Sequence, residues 1–562
     1  MYKNYNTNQL ILPLDTRILF GDKDLCAIIH DLVESIPESQ YSKYYNSRGA
    51  SSYHPKMMLK IILYSYTQSV FSGRRIEASL NDSIRMMWLS QEQKPSYRTI
   101  NRFRVHPVMD DLLKNLYTNF RAQLTENNLI DEDAIFIDGT KIEANANKYS
   151  FVWKKTVLNN QSKAVTRARL IYEDLYENEI IQEIKNEMDE EFNIDDTPYV
   201  DEALTEKIED LTHKMEQSDD SEERKSIRKE RTSLKAGQKE IRAIFERNKK
   251  YEGQLKILGE RNSYSKTDHD AVFMRMKDDH MRNGQLKAGY NIQIATNNQF
   301  VLAYDVFPNP TDTKTLIPFL NTYKALYHKF PQHIVADAGY GSESNYEILI
   351  DDLQVIPLIP FNMYVKEQSP GYRKDRFNTF NWKYHELEDA FICPQNHPLP
   401  FKDYSVRKNG DKEQVSKVYQ CDMCQECPLK TQCISAQAAG NKKIFRNNNL
   451  EYFKEYTRQK LSDQETGNIY ARRKIDVEPV FGYLKAILGF TRMSVRGTAK
   501  VKKEIGIALM AVNIRKMAAV GGQIICKNHK KTKKMLKSHF LRLFLLPRTI
   551  YVPDSFYLLI KL

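Results

Sequence analysis

Ala134-Ile135-Phe136-Ile137-Asp138-Gly139 is a short apolar run closed by an acid and a glycine, and the pattern returns far downstream as His333-Ile334-Val335-Ala336-Asp337-Ala338-Gly339. An apolar run of this length, bounded by turn residues, reads as a buried strand. Each of these strands ends on a carboxylate at a glycine-softened rim. A third acid lies in Ile475-Asp476-Val477-Glu478-Pro479-Val480-Phe481-Gly482-Tyr483-Leu484-Lys485, which reads as a helix with one inward carboxylate, Glu478, and a following lysine. Three acids from two strand ends and a helix can hold two divalent cations, and such a pair clamps the attacking and leaving oxygens of a phosphodiester displacement.

Working outward, Asn291 to Ala295 and Val301 to Val306 flank a turn at Asn297-Asn298 and read as a hairpin. Thr313 to Phe330 reads as a helix, and Val355 to Pro360 as a further strand. Strand, hairpin, helix, strand is the opening of a ribonuclease H-like core. The predicted fold is therefore α/β and multidomain, with a ribonuclease H-like mixed sheet interrupted twice. Core segments are expected at 126–154, 263–361 and 466–520. A helical N-terminal domain fills 1–125, a helical insertion 155–262, a Cys-rich insertion 362–465 and a basic tail 521–562.

In the first insertion, Leu204, Ile208, Leu211 and Met215 step by helical turns, as do Ile227, Leu234 and Ile241. Ser218-Asp219-Asp220-Ser221 breaks and recaps the chain between them. An antiparallel helix pair is expected, serving packing or dimerisation. The second insertion holds Cys393, His397, Cys421, Cys424, Cys427 and Cys433, and the spacing from Cys421 through Cys427 is that of zinc ligands. Six candidates exceed the four ligands of a structural zinc site, and the spacing does not choose among them.

In the N-terminal part, Pro55 opens one helix, Arg75 to Trp88 reads as another, and Ser96 caps a third from Tyr97 to Val105. The last carries Arg98, Arg102 and Arg104 after a short turn. Helix, turn, basic helix is the pattern of a helix-turn-helix DNA reader; a surface helix in a bundle is the alternative.

The whole chain has 562 residues, 84 Lys plus Arg against 72 Asp plus Glu, and a net charge of +12. That balance suits a polyanionic partner. There is no signal peptide or membrane-length apolar run, so an intracellular, cytoplasmic protein is expected. From Ile505 to Pro553 there is no acid, and Lys527, Lys530, Lys531, Lys533, Lys534 and Lys537 cluster there.

Together, Asp138-Gly139-Thr140-Lys141-Ile142-Glu143-Ala144, Ala336-Asp337-Ala338-Gly339-Tyr340 and Glu478-Pro479-Val480-Phe481-Gly482 with Arg496-Gly497 resemble bacterial insertion-sequence transposases of the DDE class. His54-Pro55, Arg74-Arg75-Ile76-Glu77, Gly289-Tyr290-Asn291 with Gln293, and the Cys-rich insert extend the likeness over most of residues 50–520. The resemblance implies a catalytic triad of Asp138, Asp337 and Glu478 binding two Mg2+ or Mn2+ ions. It implies DNA ends and target DNA as partners, and a homodimer on paired ends. Arg473, Lys474, Lys485 and Arg496 are the expected phosphate contacts near the metals. Relatives carry a Tyr, Arg, Glu, Lys signature on the last helix. Glu478 and Lys485 match it, while Tyr470 and Arg473 sit one residue early. The rivals are a nuclease that cuts without joining and a transposase-derived regulator without catalysis.

Overall fold

The structure, a computed structural model, describes residues 20–21, 24–41, 52–178, 180, 193–276, 284–409, 412–434 and 440–521. The lysine-rich tail expected to touch DNA lies outside the described residues. Six helices begin the described chain: α1 (Leu25–Glu34), α2 (Pro55–Thr67), α3 (Gly73–Asp82), α4 (Ile84–Ser90), α5 (Tyr97–Arg104) and α6 (Met109–Glu126). Pro55 opens α2, where a missing N–H costs nothing, and the His54 ring caps it by accepting from the Lys56 amide at 3.2 Å. Ser96 caps α5 as its sequence predicts. The single helix expected from Arg75 to Trp88 is two. Ser83 is extended, and its hydroxyl accepts from the Met86 amide to start α4 afresh. A serine side chain competes for nearby backbone groups in this way, so a capping serine inside an apolar pattern can split a helix.

The central strand β1 (Ala134–Glu143) is buried along nearly its whole length. A short strand β2 (Phe151–Trp153) leads into the helical insertion of α7 (Lys154–Glu177), α8 (Thr197–Gln217) and α9 (Ser221–Leu258), and β3 (Ser263–Ser265) pairs back on β2. Then come β4 (Val272–Arg275), β5 (Leu286–Asn297), β6 (Phe300–Phe307), α10 (Leu316–Tyr327), β7 (His333–Val335) and β8 (Ile356–Leu358). The sheet order is β6-β5-β1-β7-β8, with β4 sharing the outer edge of β5. The β1, β5 and β6 neighbours are antiparallel; β1, β7 and β8 are parallel. Strands covered on both faces need apolar residues on both, which is why these runs lack alternation. The hairpin turn is Asn298-Gln299, both at positive φ, one residue later than expected. Asn297 is withdrawn into the sheet, where its amide donates to Asp131 and to the Ala134 carbonyl.

The insertion holds the expected helix pair, α8 and α9, with α7 packed against it as a third helix. Leu204, Ile208, Leu211, Leu234 and Ile241 share its buried seam with Ala168 and Ile171 of α7. The Cys-rich segment is a separate antiparallel sheet, β9 (Lys383–His385), β10 (Ala390–Ile392), β11 (Pro398–Asn409), β12 (Lys412–Gln420) and β13 (Lys443–Arg446). The chain returns through α11 (Asn448–Ser462), α12 (Gln464–Ala471), α13 (Arg473–Gly482) and α14 (Thr498–Ala519).

Helix α14 is buried on every side for most of its length, packed against α2, α6 and β6. It joins the N-terminal helices to the sheet. Gly506 permits the closest approach: a Cβ there would stand 2.0 Å from the Tyr304 hydroxyl. The Asn513 side chain donates to the Val301 carbonyl and accepts from the Val301 amide, each at 2.8 Å. No helix among the described residues is long and apolar enough to cross a membrane.

Candidate active site

The parallel ladder between β1 and β7 ends on the rung Phe136 to Val335. Two residues further along each strand stand Asp138 and Asp337. Asp138 is still within β1, whereas Asp337 lies in extended backbone just beyond β7, and the charges of both act on the buried Tyr340. Asp138 is buried, and its Oδ1 accepts from the Gly139 amide at 2.7 Å. Asp337 is extended and caps a single turn over Ala338–Tyr340, its Oδ1 accepting from the Gly339 amide at 2.8 Å.

Two residues of the last helices close on this pair. Arg473 Nη1 lies 3.7 Å from Asp138 Oδ2. Tyr470 hydrogen-bonds Arg473 and feels the charge of Asp337; burial pushes its phenol up. The offset of Tyr470 and Arg473 seen in the sequence falls at a helix break, since α12 ends at Ala471 and α13 starts at Arg473.

A fourth acid, not anticipated from the sequence, completes the surroundings. Asp312 Oδ1 accepts from Asn291 Nδ2 at 2.7 Å and from Gln293 Nε2 at 2.9 Å. Gln293 in turn accepts from the hydroxyl of the buried Tyr340. Burial, then the carboxylates of Asp312, Asp138 and Asp337, push the Tyr340 phenol well above its usual range. The turn carrying Asp312 also grips the Asp337 loop, because Thr313 Oγ1 donates to the Gly339 carbonyl at 2.8 Å. Gly139 must be glycine here: a Cβ would stand 2.3 Å from the Gln293 amide nitrogen and 2.7 Å from Asp312 Oδ1. The signal for Asp312 was Asn291 and Gln293, two amides inside an otherwise apolar strand that demand a buried partner.

Glu478 does not join the pair. It is exposed on α13, and among the described residues it makes no hydrogen bond or ion pair. It lies five residues after Arg473, about 140° further round a helix with 3.6 residues per turn. The residues of α13 that turn inward are Asp476, Val477 and Val480. Asp476 accepts from the Gln299 amide at 3.1 Å, and burial raises its carboxyl. No three His, Cys, Asp or Glu side chains among the described residues are gathered into a group that could hold a metal ion. Among the described residues Glu478 is thus not gathered with Asp138 and Asp337.

Of the expected DNA contacts, Arg98, Arg102, Lys474 and Arg496 are exposed, and Arg473 and Lys485 are partly covered. Arg104 is corrected. It is buried, and its guanidinium donates to the Tyr66 hydroxyl, the Phe71 carbonyl and Asn101 Oδ1 at 2.7–2.8 Å, with Glu504 at 3.9 Å. A guanidinium so enclosed ties α5 to α14 and reaches no phosphate. Arg496 Nε donates to the Asn145 carbonyl at 2.8 Å, beside the end of β1.

Cys393, His397, Cys421, Cys424, Cys427 and Cys433 all line one cavity in the Cys-rich module. Cys421 and Cys424 are buried. Backbone amides point at two of the sulfurs, His397 N to Cys393 Sγ at 3.3 Å and Lys442 N to Cys424 Sγ at 3.4 Å.

Two stretches match known families. Residues 392–518 match the transposase DDE domain, and residues 15–106 match a transposase domain, DUF772. The first includes Glu478, Arg473 and the Cys cluster; the second includes the basic helix α5. No curated protein and no solved structure matches. Both matched stretches are similar to transposase families, one in the helical N-terminal part and one after the mixed sheet. The two matches indicate an insertion-sequence DDE transposase.

Proposed function

We propose that the chain cuts the ends of its own element and joins the freed 3′-hydroxyl to target DNA, with Asp138, Asp337 and Glu478 as the acids of the site. The observation that carries this reading is that Asp138 and Asp337 each follow the last rung of the parallel β1–β7 ladder by two residues. The strand order β6-β5-β1-β7-β8 supports a ribonuclease H-like core, in which an antiparallel hairpin and a parallel pair flank the central strand.

The donor set fits hard divalent cations, since carboxylate oxygens are the ligands Mg2+ and Mn2+ prefer. Asp138 and Asp337 would hold them, and Glu478 would enter from α13. Bound cations would supply charge for the attacking and leaving oxygens. Asp138 and Asp337 fix the position at which the scissile phosphate is presented. Arg473 places a guanidinium beside it, Tyr470 orients Arg473, and Arg98, Arg102, Lys474, Lys485 and Arg496 hold the backbone on either side. Two protomers on paired ends are part of this reading. In the Cys-rich module the six Cys and His side chains are not gathered into a ready metal group, but the shared cavity and soft sulfur donors would let some of them close on a structural Zn2+.

The exposed position of Glu478 favours one second reading, a transposase-derived regulator that binds DNA without cutting it. Strand transfer separates the two. Purified protein is mixed with pre-cleaved DNA bearing the flanking inverted repeat, a plasmid target and Mg2+. Joined product is expected, and Asp138→Asn, Asp337→Asn and Glu478→Gln should each lower its rate by about three or more decades while still binding ends. Metal-dependent nicking without joining would assign a nuclease. Binding without either would assign the regulator.

A further inference from the structure

Helix α9 is the longest in the described chain, 38 residues, and it carries 12 Lys and Arg against six Asp and Glu. That surplus of six is half the net charge of the whole chain. Packing explains only part of it. On the seam side, Arg242 pairs with Asp201 of α8, and Arg231 donates to Thr212. On the flank, Arg167 of α7 takes up Glu240. At the N-terminal end, Lys225 pairs with Glu222.

Nine bases of α9 remain; Arg224 and Arg247 donate to backbone carbonyls, Lys249 lies over the Phe245 ring and Lys256 sits near the C-terminal end, which leaves Arg228, Lys229, Lys235, Lys239 and Lys250. All are exposed, and none makes an ion pair among the described residues. At 100° per residue they fall within an arc of about 120°, opposite the seam residues Leu234, Ile241 and Asn248. Glu246 is the acid that shares the arc. A helix stabilised by its own surface pairs would interleave acids at three- and four-residue spacing; this face does not. From Arg228 to Lys250 the row runs about 33 Å along the axis, close to the roughly 34–36 Å of one duplex turn. Its two ends can therefore meet phosphates one turn apart on one DNA face. The arm is rooted beside the active-site strand, because Val157, Leu258, Val152 and Tyr264 pack its base onto β2 and β3 just past β1.

We propose that this outer face of α9 is a docking rail for the phosphate backbone of duplex DNA, read without regard to base sequence. The proposal rests on the reading of the chain as a protein that acts on DNA.

The test uses full-length protein, a 60-bp random-sequence duplex and Mg2+-free buffer, with affinity measured across a salt series. One variant carries Gln at Arg228, Lys229, Lys235, Lys239 and Lys250. Glutamine is a good helix former, so α9 should persist, as circular dichroism would report. A charge-matched control carries Gln at Lys366, Lys374, Lys383, Lys402 and Lys443, all exposed on the Cys-rich side. Each lost phosphate contact removes about 0.9 from the slope of log affinity against log salt. The rail variant should lose about two or more of slope and at least tenfold in affinity, and the control less than one. A rail variant that matches the control overturns the rail while leaving the DNA reading intact. A parent that binds no duplex overturns both.

Discussion

Arg473 Nη1 stands 3.7 Å from Asp138 Oδ2, across a gap between a helix near the C-terminus and a strand more than three hundred residues earlier. The contact brings the Arg473 guanidinium beside Asp138. Arg473→Ala should lower end cleavage by about tenfold or more with end affinity changed by less than threefold. Arg473→Lys should restore it only in part, since an ammonium lacks the planar fork that meets carboxylate and phosphate together. A variant cleaving at the parental rate would remove Arg473 from the site.

Asp312 holds the floor under that gap. Asp312→Ala would take one of two acceptors from each of the Asn291 and Gln293 amides, both buried to within 1% of complete, leaving the Asn309 carbonyl and Asn291 Oδ1, at about 1–3 kcal/mol in unfolding free energy. Asp312→Asn keeps an acceptor for both amides and should retain most of the stability. Urea titration of the two variants checks this; equal loss in both would show that charge, not acceptance, is what the network needs.

Arg104 and Glu504 are both buried, with side-chain exposures of 7% and 3%. Removing one leaves the other charge enclosed, so Arg104→Met should cost about 3–5 kcal/mol. The folded fraction should bind DNA as the parent does. A stable Arg104→Met protein with weakened DNA binding would return Arg104 to the DNA surface.

Glu34 anchors α1 to α2 through Lys60 at 2.6 Å and Lys56 at 3.0 Å. Burial alone would push its carboxyl up, but the hydrogen bonds from Lys60 and Lys56 prevail and hold it at about 2. The folded value lies below the unfolded one, so the protein gains stability from ionised Glu34 above about pH 4.5. That stability drains away as pH falls toward about 2. Stability curves of the parent and Glu34→Gln, measured from pH 6 to 2, should converge at the acid end. Parallel curves would refute the assignment.

Zinc removal should act on the Cys-rich module alone. A strong chelator is expected to release zinc and open residues 383–446 to protease while the α14 core stays resistant. A preparation whose protease pattern ignores the chelator would leave the cysteines without a metal.

Much of the sheet was legible because burial on both faces writes itself as uninterrupted apolar runs, so Ile135 to Ile137 and Ile334 to Ala336 announce their own strands. The turn at Pro95-Ser96 and the break at Ser218 to Ser221 were legible for a similar reason: caps and turns are set by chemistry within a few residues. The direction of a helical side chain is a different matter. Arg104 and Arg102 are alike in sequence, yet only Arg104 faces Glu504. Glu478 and Asp476 are two residues apart, yet only Asp476 is buried. The meeting of Asp138 with Arg473, the grip of Asp312 on Asn291 and Gln293, and the split of the α9 bases into paired and unpaired sets all depend on packing between distant segments. Local propensity determined the elements and their order; which of their faces meet was decided only when the buried surfaces came together, because that choice is made by shape and by hydrogen-bond satisfaction across the fold.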